Sequence, residues 1–97
     1  TARTLITVWR HGEAAPGSPD RDRPLTPRGR SDLDLGARAF SWWLQRSSLP
    51  APDRLLCSRW RRTAQTAGIL AGRWGVPVEE HDCLIPGARA EGVEQAA

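Results

Sequence analysis

Leu5-Ile6-Thr7-Val8-Trp9-Arg10-His11-Gly12 is an apolar, β-branched run that stops at a cation, a titratable ring and a glycine. Such a run predicts a strand over residues 5–9 whose C-terminal end delivers His11 to a pocket. Residues 13–24 follow, rich in Pro, Gly, Ser and Asp and without a period that could pack a core, so a loop bordering that pocket is expected. Thr26-Pro27 reads as an N-cap with proline at the first helical position, starting a helix that runs to about residue 46. Leu33, Ala37, Phe40 and Leu44 recur on one face of it, with Trp43 beside them.

Further along, Arg54-Leu55-Leu56-Cys57 is short and apolar enough for a buried strand. Ser58 is expected to cap a second helix over about 60–74, with Trp60, Ala64, Ala67, Ala71 and Trp74 on its apolar stripe and Gly75 at its end. Residues 76–80 read as a third strand. From Asp82 the chain becomes irregular, and 91–97 resemble the opening turns of a further helix. The order β-α-β-α-β predicts an α/β fold, a mostly parallel sheet flanked by helices with right-handed crossovers. Sites in such sheets gather beyond the C-terminal strand ends, where His11 and Ser58 both fall.

Ninety-seven residues suit one small domain. Fourteen basic residues against eleven acidic ones give a net charge of +3, and all fourteen cations are arginine. Arginine's planar fork of donors matches phosphate and carboxylate. A GC-biased genome also yields an arginine-, alanine- and glycine-rich composition, so only the local placement of arginines carries an argument. The acidic residues are interspersed with the basic ones and no long basic run occurs, so a nucleic-acid partner is not expected. No apolar stretch is long enough to cross a bilayer, and no membrane partner is expected. Cys57 and Cys83 read as reduced thiols in a cytoplasmic protein. With His11 and His81 they match no compact metal-binding spacing, so no metal is expected.

A neutral imidazole is unprotonated on one nitrogen near pH 7, so His11 is a candidate nucleophile toward phosphorus. Phosphoryl transfer then relies on positioning and on fixed positive donors around three charged oxygens. Arg10, together with one or more of Arg59, Arg61 and Arg62, could supply such a clamp, aided by the N-terminus of the second helix. Arg23 reads equally as loop surface and as a substrate-orienting cation, and Glu13 as a loop residue. His81, within Glu79-Glu80-His81-Asp82-Cys83, reads as surface.

Three motifs in order, Arg10-His11-Gly12, Arg23-Pro24-Leu25-Thr26-Pro27-Arg28-Gly29 and Ser58-Arg59-Trp60-Arg61-Arg62-Thr63-Ala64-Gln65-Thr66-Ala67, resemble the histidine phosphatase (phosphoglycerate mutase-like) superfamily. The compact Arg-Pro-Leu-Thr form and the short first loop most resemble its SixA-type phosphohistidine phosphatase branch. The resemblance implies a covalent phosphohistidine intermediate on His11, with Arg10 and Arg62 as catalytic, phosphate-binding cations and no cofactor. Gly12, Arg23 and Ser58 join the expected phosphate-binding set. Arg62 follows from the Ser-x-x-x-Arg-x-x-Gln-Thr spacing, and residues 58 and 62 lie one turn apart on one helix face, whereas Arg61 points about a hundred degrees away. Arg59 and Arg61 then read as a solvated rim, with Arg59 standing where the family commonly has proline.

Larger members of the family carry an acidic donor after the third strand, whereas Leu84-Ile85-Pro86-Gly87-Ala88 holds no carboxylate. Expelling an alkoxide, with a conjugate acid as weak as water at roughly 15.7, requires such a donor. Imidazole, with a conjugate acid near about 6.5, does not. A phosphorylated protein carrying phosphohistidine is therefore the expected partner, and a small phosphorylated metabolite the alternative. A phosphomonoesterase or mutase, and a non-catalytic phosphate- or phosphoprotein-binding module, are the competing functions, with a basic nucleic-acid binder behind them. The family's second histidine, in a Ser/Gly-His-x-Pro context, has no counterpart in these residues. Residues 1–97 are accordingly expected to be the N-terminal portion of a single histidine phosphatase domain, truncated on its C-terminal side.

Overall fold

Helix α1 spans Pro27–Arg46 and begins where the Thr26-Pro27 pair predicts. The Thr26 hydroxyl accepts from Gly29 N at 2.9 Å, satisfying one amide that the first turn leaves without a partner. Strand β1 spans Leu55–Cys57, helix α2 Arg61–Trp74 and strand β2 Val78–Glu80. The computed structural model describes residues 6–81. The expected helix over 91–97, the irregular stretch from Asp82 and Cys83 lie outside the described residues.

β1 and β2 pair in parallel, with Leu55 opposite Val78, Leu56 opposite Glu79 and Cys57 opposite Glu80. α2 is the crossover between them, as parallel pairing of nearby strands requires. Gly75 ends α2 in the left-handed region at φ 66°, where a side chain would cost energy, and its amide returns to Ala71 O at 2.7 Å. Leu33, Ala37 and Leu44 of α1 are buried with Ala67 and Leu70 of α2, Cys57 of β1 and Leu25 of the loop. On α2 the buried positions are Thr66, Ala67 and Leu70, while Ala64, Ala71 and Trp74 of the expected stripe are only partly covered. The stripe is turned toward Thr66 because that hydroxyl has polar partners inside the fold.

Two local expectations are corrected. Residues 6–10 form no strand. A strand exists only when its amides and carbonyls have a neighbouring ladder, and among the described residues the sheet is β1 and β2 alone. Val8 is 93% exposed and Ile6 59%. Trp9 nevertheless fixes the segment, its ring meeting Phe40 edge-on at 5.3 Å and Trp74 at 6.1 Å. Each such aromatic pair adds roughly 0.5–1.5 kcal/mol beyond area burial. Trp74 is held in turn by its indole N–H, which donates to Ser41 Oγ at 2.8 Å. The segment leading to His11 is thus positioned by an aromatic anchor between α1 and α2. Ser58, for its part, is not the N-cap of α2. Trp60 occupies that position without a side-chain cap bond, and Ser58 lies two residues earlier.

The edge of the sheet carries an ion pair with a pH consequence. Arg54, just before β1, donates from Nε and Nη2 to the two carboxylate oxygens of Glu79 on β2, both at 2.8 Å. That fork, with a smaller contribution from His81 at 3.5 Å, holds the Glu79 carboxyl at about 2, against an ordinary value of 4.5. The unfolded chain takes up this proton near 4.5 and the folded one only near 2. Over that interval the unfolded state binds more protons, so stability present above pH 4.5 is lost as pH falls toward 2. Thermal melts across this range should show Tm falling with acid, and Glu79→Gln should flatten that limb. An unchanged acid limb in the variant would refute the assignment.

Candidate functional site

The segment that carries His11 lies across the start of α1 and is tied there by backbone. Ala14 bridges Leu25 antiparallel, Ala15 N donates to Pro24 O at 2.8 Å, and Thr26 N donates to Glu13 O at 2.9 Å. Two glycines permit the approach. A Cβ on Gly29 would sit 2.5 Å from Glu13 O, and one on Gly12 would sit 2.8 Å from Leu33 Cδ1 and 3.1 Å from Gly29 O. At Gly29 the obstacle is backbone, so a side chain there would push the loop off the helix, whereas at Gly12 the Leu33 side chain would have to shift and the Gly29 carbonyl give slightly.

α2 holds the same segment from the other side. Gly12 N donates to Thr66 Oγ1 at 3.2 Å, and the Thr66 hydroxyl donates to Arg62 O at 2.7 Å. The Gln65 side-chain carbonyl accepts from Leu25 N at 2.8 Å. Neighbouring side chains on one turn of α2 therefore fasten the His11 segment and the start of the α1 approach. The His11 ring is exposed, with Nδ1 2.7 Å from Gly12 O. A carbonyl only accepts, so Nδ1 carries the proton of the neutral ring in this bond and Nε2 keeps its lone pair.

Arg62 lies on the same turn with its side chain only 11% exposed. Its guanidinium lies over the Trp60 ring, 4.7 Å from the centroid. Nη1 donates to Asp20 O at 3.0 Å and lies 3.3 Å from Asp20 Oδ1, while Nη2 donates to Oδ2 at 3.3 Å. Asp20 sits in the 3-10 turn Asp20–Asp22 and also receives Arg23 Nη1 on Oδ1 at 2.8 Å. Arg23 is braced by Nε on Ala15 O at 2.7 Å. The Arg23 hydrogen bond is the main cause that lowers the Asp20 carboxyl from its ordinary range; burial opposes it, and the hydrogen bond and charge of Arg62 add to the lowering. Asp20 is accordingly a carboxylate at neutral pH.

The expected site residues thus fall into two joined groups. His11, Gly12 and Arg62 are linked through Thr66, and Arg62 and Arg23 through Asp20. Arg10 is exposed and has no hydrogen bond or ion pair among the described residues. Ser58 is buried, its hydroxyl 2.5 Å from Thr63 Oγ1 and accepting from Trp60 N at 3.3 Å, so it shapes the start of α2. Arg61 is exposed, with Nη1 donating to Asp22 O at 3.4 Å. A groove of about 410 Å³ is lined by Arg21, Asp22, Arg59 and Trp60. His81 is half-buried beside Glu79, and Cys57 is a buried thiol pushed up by burial and then by the Glu80 carboxylate. Among the described residues no His, Cys, Asp or Glu cluster is arranged to hold a metal ion, and no helix is long and apolar enough to cross a membrane.

Four residues of this arrangement have no place among the expected site residues: Asp20, Gln65, Thr66 and Trp60, the last expected only on the apolar stripe of α2. Gln65-Thr66 was visible as part of a motif spacing. Asp20 had no signal beyond lying three residues before Arg23.

Comparison with known proteins converges on one family. The sequence pattern of the histidine phosphatase superfamily (branch 1) matches residues 6–86. Two uncharacterized proteins of Mycobacterium tuberculosis, one from each of two strains, are 44% identical over 59 residues, 59% of this chain and 34% of theirs. A solved structure of the protein histidine phosphatase SixA complexed with tungstate is similar at a TM-score of 0.71 and 28% identity, over 89% of this chain and 54% of its own. SixA structures from Nakamurella multipartitia and Agrobacterium tumefaciens follow at 0.68, with 31% and 26% identity. The chain spans about a third of the length of those curated relatives and about half that of the solved ones.

Proposed function

The chain belongs to the histidine phosphatase superfamily, and from that premise we propose that it acts on phosphohistidine in a protein through a covalent intermediate on His11. One observation carries the proposal. His11 keeps Nε2 free because Nδ1–H is engaged by Gly12 O, and Gly12 is fastened through Thr66 to the turn of α2 that bears Arg62. The Nε2 lone pair attacks phosphorus, a new N–P bond forms, and the bond from phosphorus to the substrate's imidazole nitrogen breaks. With its other nitrogen protonated, that ring leaves as neutral imidazole. Water then attacks the phosphohistidine, releasing inorganic phosphate and restoring the His11 lone pair. Arg10, Arg23 and Arg62 are the cations for the phosphoryl oxygens, on a backbone shaped by Gly12 and Ser58.

Substrate class follows from proton supply. Asp20, ionised between two guanidiniums, is a poor proton donor, which supports a leaving group that departs without a strong acid. The similarity to a SixA bound to tungstate, an oxyanion, supports the same reading. The lengths of the relatives support residues 1–97 being one portion of such a domain, and the order of the motifs is the reason for reading it as the N-terminal one. For the intact protein, kcat/KM on a phosphohistidine-bearing protein should exceed that on a sugar phosphate by on the order of 10²-fold or more, the usual contribution of a general acid. Equal or faster hydrolysis of the sugar phosphate would replace this reading with a small-molecule phosphomonoesterase. Oxyanion binding without turnover of either substrate would replace it with a binding module.

A further inference from the structure

Arg62 is a long side chain with many rotamers, yet it is held from two directions. The Trp60 ring lies against its face and Asp20 against its Nη1/Nη2 edge. An arginine has five N–H donors in a rigid fork. Asp20 takes donors on the Nη1/Nη2 edge alone, through its backbone carbonyl and both carboxylate oxygens. The edge formed by Nε and the outer Nη2 hydrogen has no partner among the hydrogen bonds of the described residues, and it is one of the two edges on which a guanidinium can grip a phosphoryl group bidentately.

Resting on the phosphatase reading above, we propose that Asp20 is a positioning residue: it clamps Arg62 by its Nη1/Nη2 edge and keeps Arg23 beside it, presenting the Nε/Nη2 edge of Arg62 to the phosphoryl group. Several contacts make the clamp firm. Asp20 Oδ1 is shared by Arg23 Nη1 and Arg62 Nη1, Arg23 N donates to Asp20 O at 3.2 Å, and Arg23 Nε anchors the assembly to Ala15 O. One carboxylate therefore ties the loop after His11 to the first turn of α2. The conformational cost of ordering Arg62 is met before substrate arrives, and donors fixed in advance stabilise charge that develops in the transition state. The carboxylate's depressed protonation keeps the clamp closed at neutral pH.

The same contacts invite an opposite interpretation, in which Asp20 occupies the seat of the phosphoryl group and must be displaced by it. The two differ in sign. Asp20→Ala and Asp20→Asn are compared with wild type in the intact protein by tungstate titration calorimetry, by kcat and KM on a phosphohistidine-bearing protein, and by thermal melting. Asp22→Asn on the same 3-10 turn serves as the control. If Asp20 positions Arg62, tungstate binds on the order of tenfold more weakly to Asp20→Ala. At the same time kcat falls roughly 10–100-fold, as misplacement of a transition-state group does, while KM changes by less than about threefold. Asp20→Asn, which retains one acceptor oxygen, falls between, and Asp22→Asn behaves as wild type. Tighter tungstate binding to Asp20→Ala would identify Asp20 as a competing anion and overturn the inference. A lowered Tm with unchanged kcat and tungstate affinity would reduce Asp20 to a structural residue and overturn it equally. Failure of wild-type protein to bind tungstate at all would instead overturn the phosphatase reading, and this inference with it.

Discussion

Replacing His11 with alanine in the intact protein is expected to lower turnover by about 10³-fold or more, the scale on which removing a catalytic nucleophile acts. The cause is chemical, because His11 is exposed and its ring fills no core position. Loss of the ring removes the Nε2 lone pair and the single hydrogen bond from Nδ1 to Gly12 O, but leaves Gly12 N on Thr66 and the Trp9 anchor in place. Melting temperature should therefore change little while activity collapses. Wild-type enzyme quenched in denaturant during turnover of a labelled phosphoprotein should carry acid-labile label that maps to His11, and His11→Ala should carry none. Substantial turnover by the alanine variant, or label on another residue, would refute a His11 intermediate.

The elements that repeat a local rule were legible in the sequence, and those that depend on distant partners were not. α1 begins at Pro27 and buries Leu33, Ala37 and Leu44, since an N-cap, a proline and a 3.6-residue period are all local signals. Gly75 closes α2 for a similarly local reason. Residues 5–9 carry a strand composition, but strand formation is settled by a neighbour, and the described part of that run is anchored by Trp9 against Phe40 and Trp74 instead. On α2, Thr66 displaces alanines from the buried stripe because Gly12 N, fifty-four residues earlier, needs an acceptor. The site divides along the same line. His11, Gly12 and Arg62 could be named from motif and helix geometry. Asp20 could not, since its partner Arg62 lies forty-two residues away and nothing in a Pro- and Asp-rich loop marks one carboxylate above another.

The two adjacent arginines at the start of α2 provide the sharpest contrast. Arg62→Ala is expected to lower kcat/KM by on the order of 10²–10³-fold, the loss seen when one donor to a developing oxyanion is removed. Arg61→Ala should stay within about threefold of wild type. Successive helical residues point about 100° apart, so side chains of equal charge meet different surroundings. Arg62 turns inward onto Trp60 and Asp20, whereas Arg61 stays exposed with one long bond to Asp22 O. Lysine at each position tests whether charge alone suffices. An ammonium cannot span both Asp20 oxygens and also offer a flat two-donor edge to phosphate, so Arg62→Lys should recover only part of the loss, and Arg61→Lys should be silent. Equal losses at the two positions would point to a general basic field. Full activity in Arg62→Lys would leave the directed guanidinium without a role. Either result would break the link between the inward face of α2 and phosphoryl transfer.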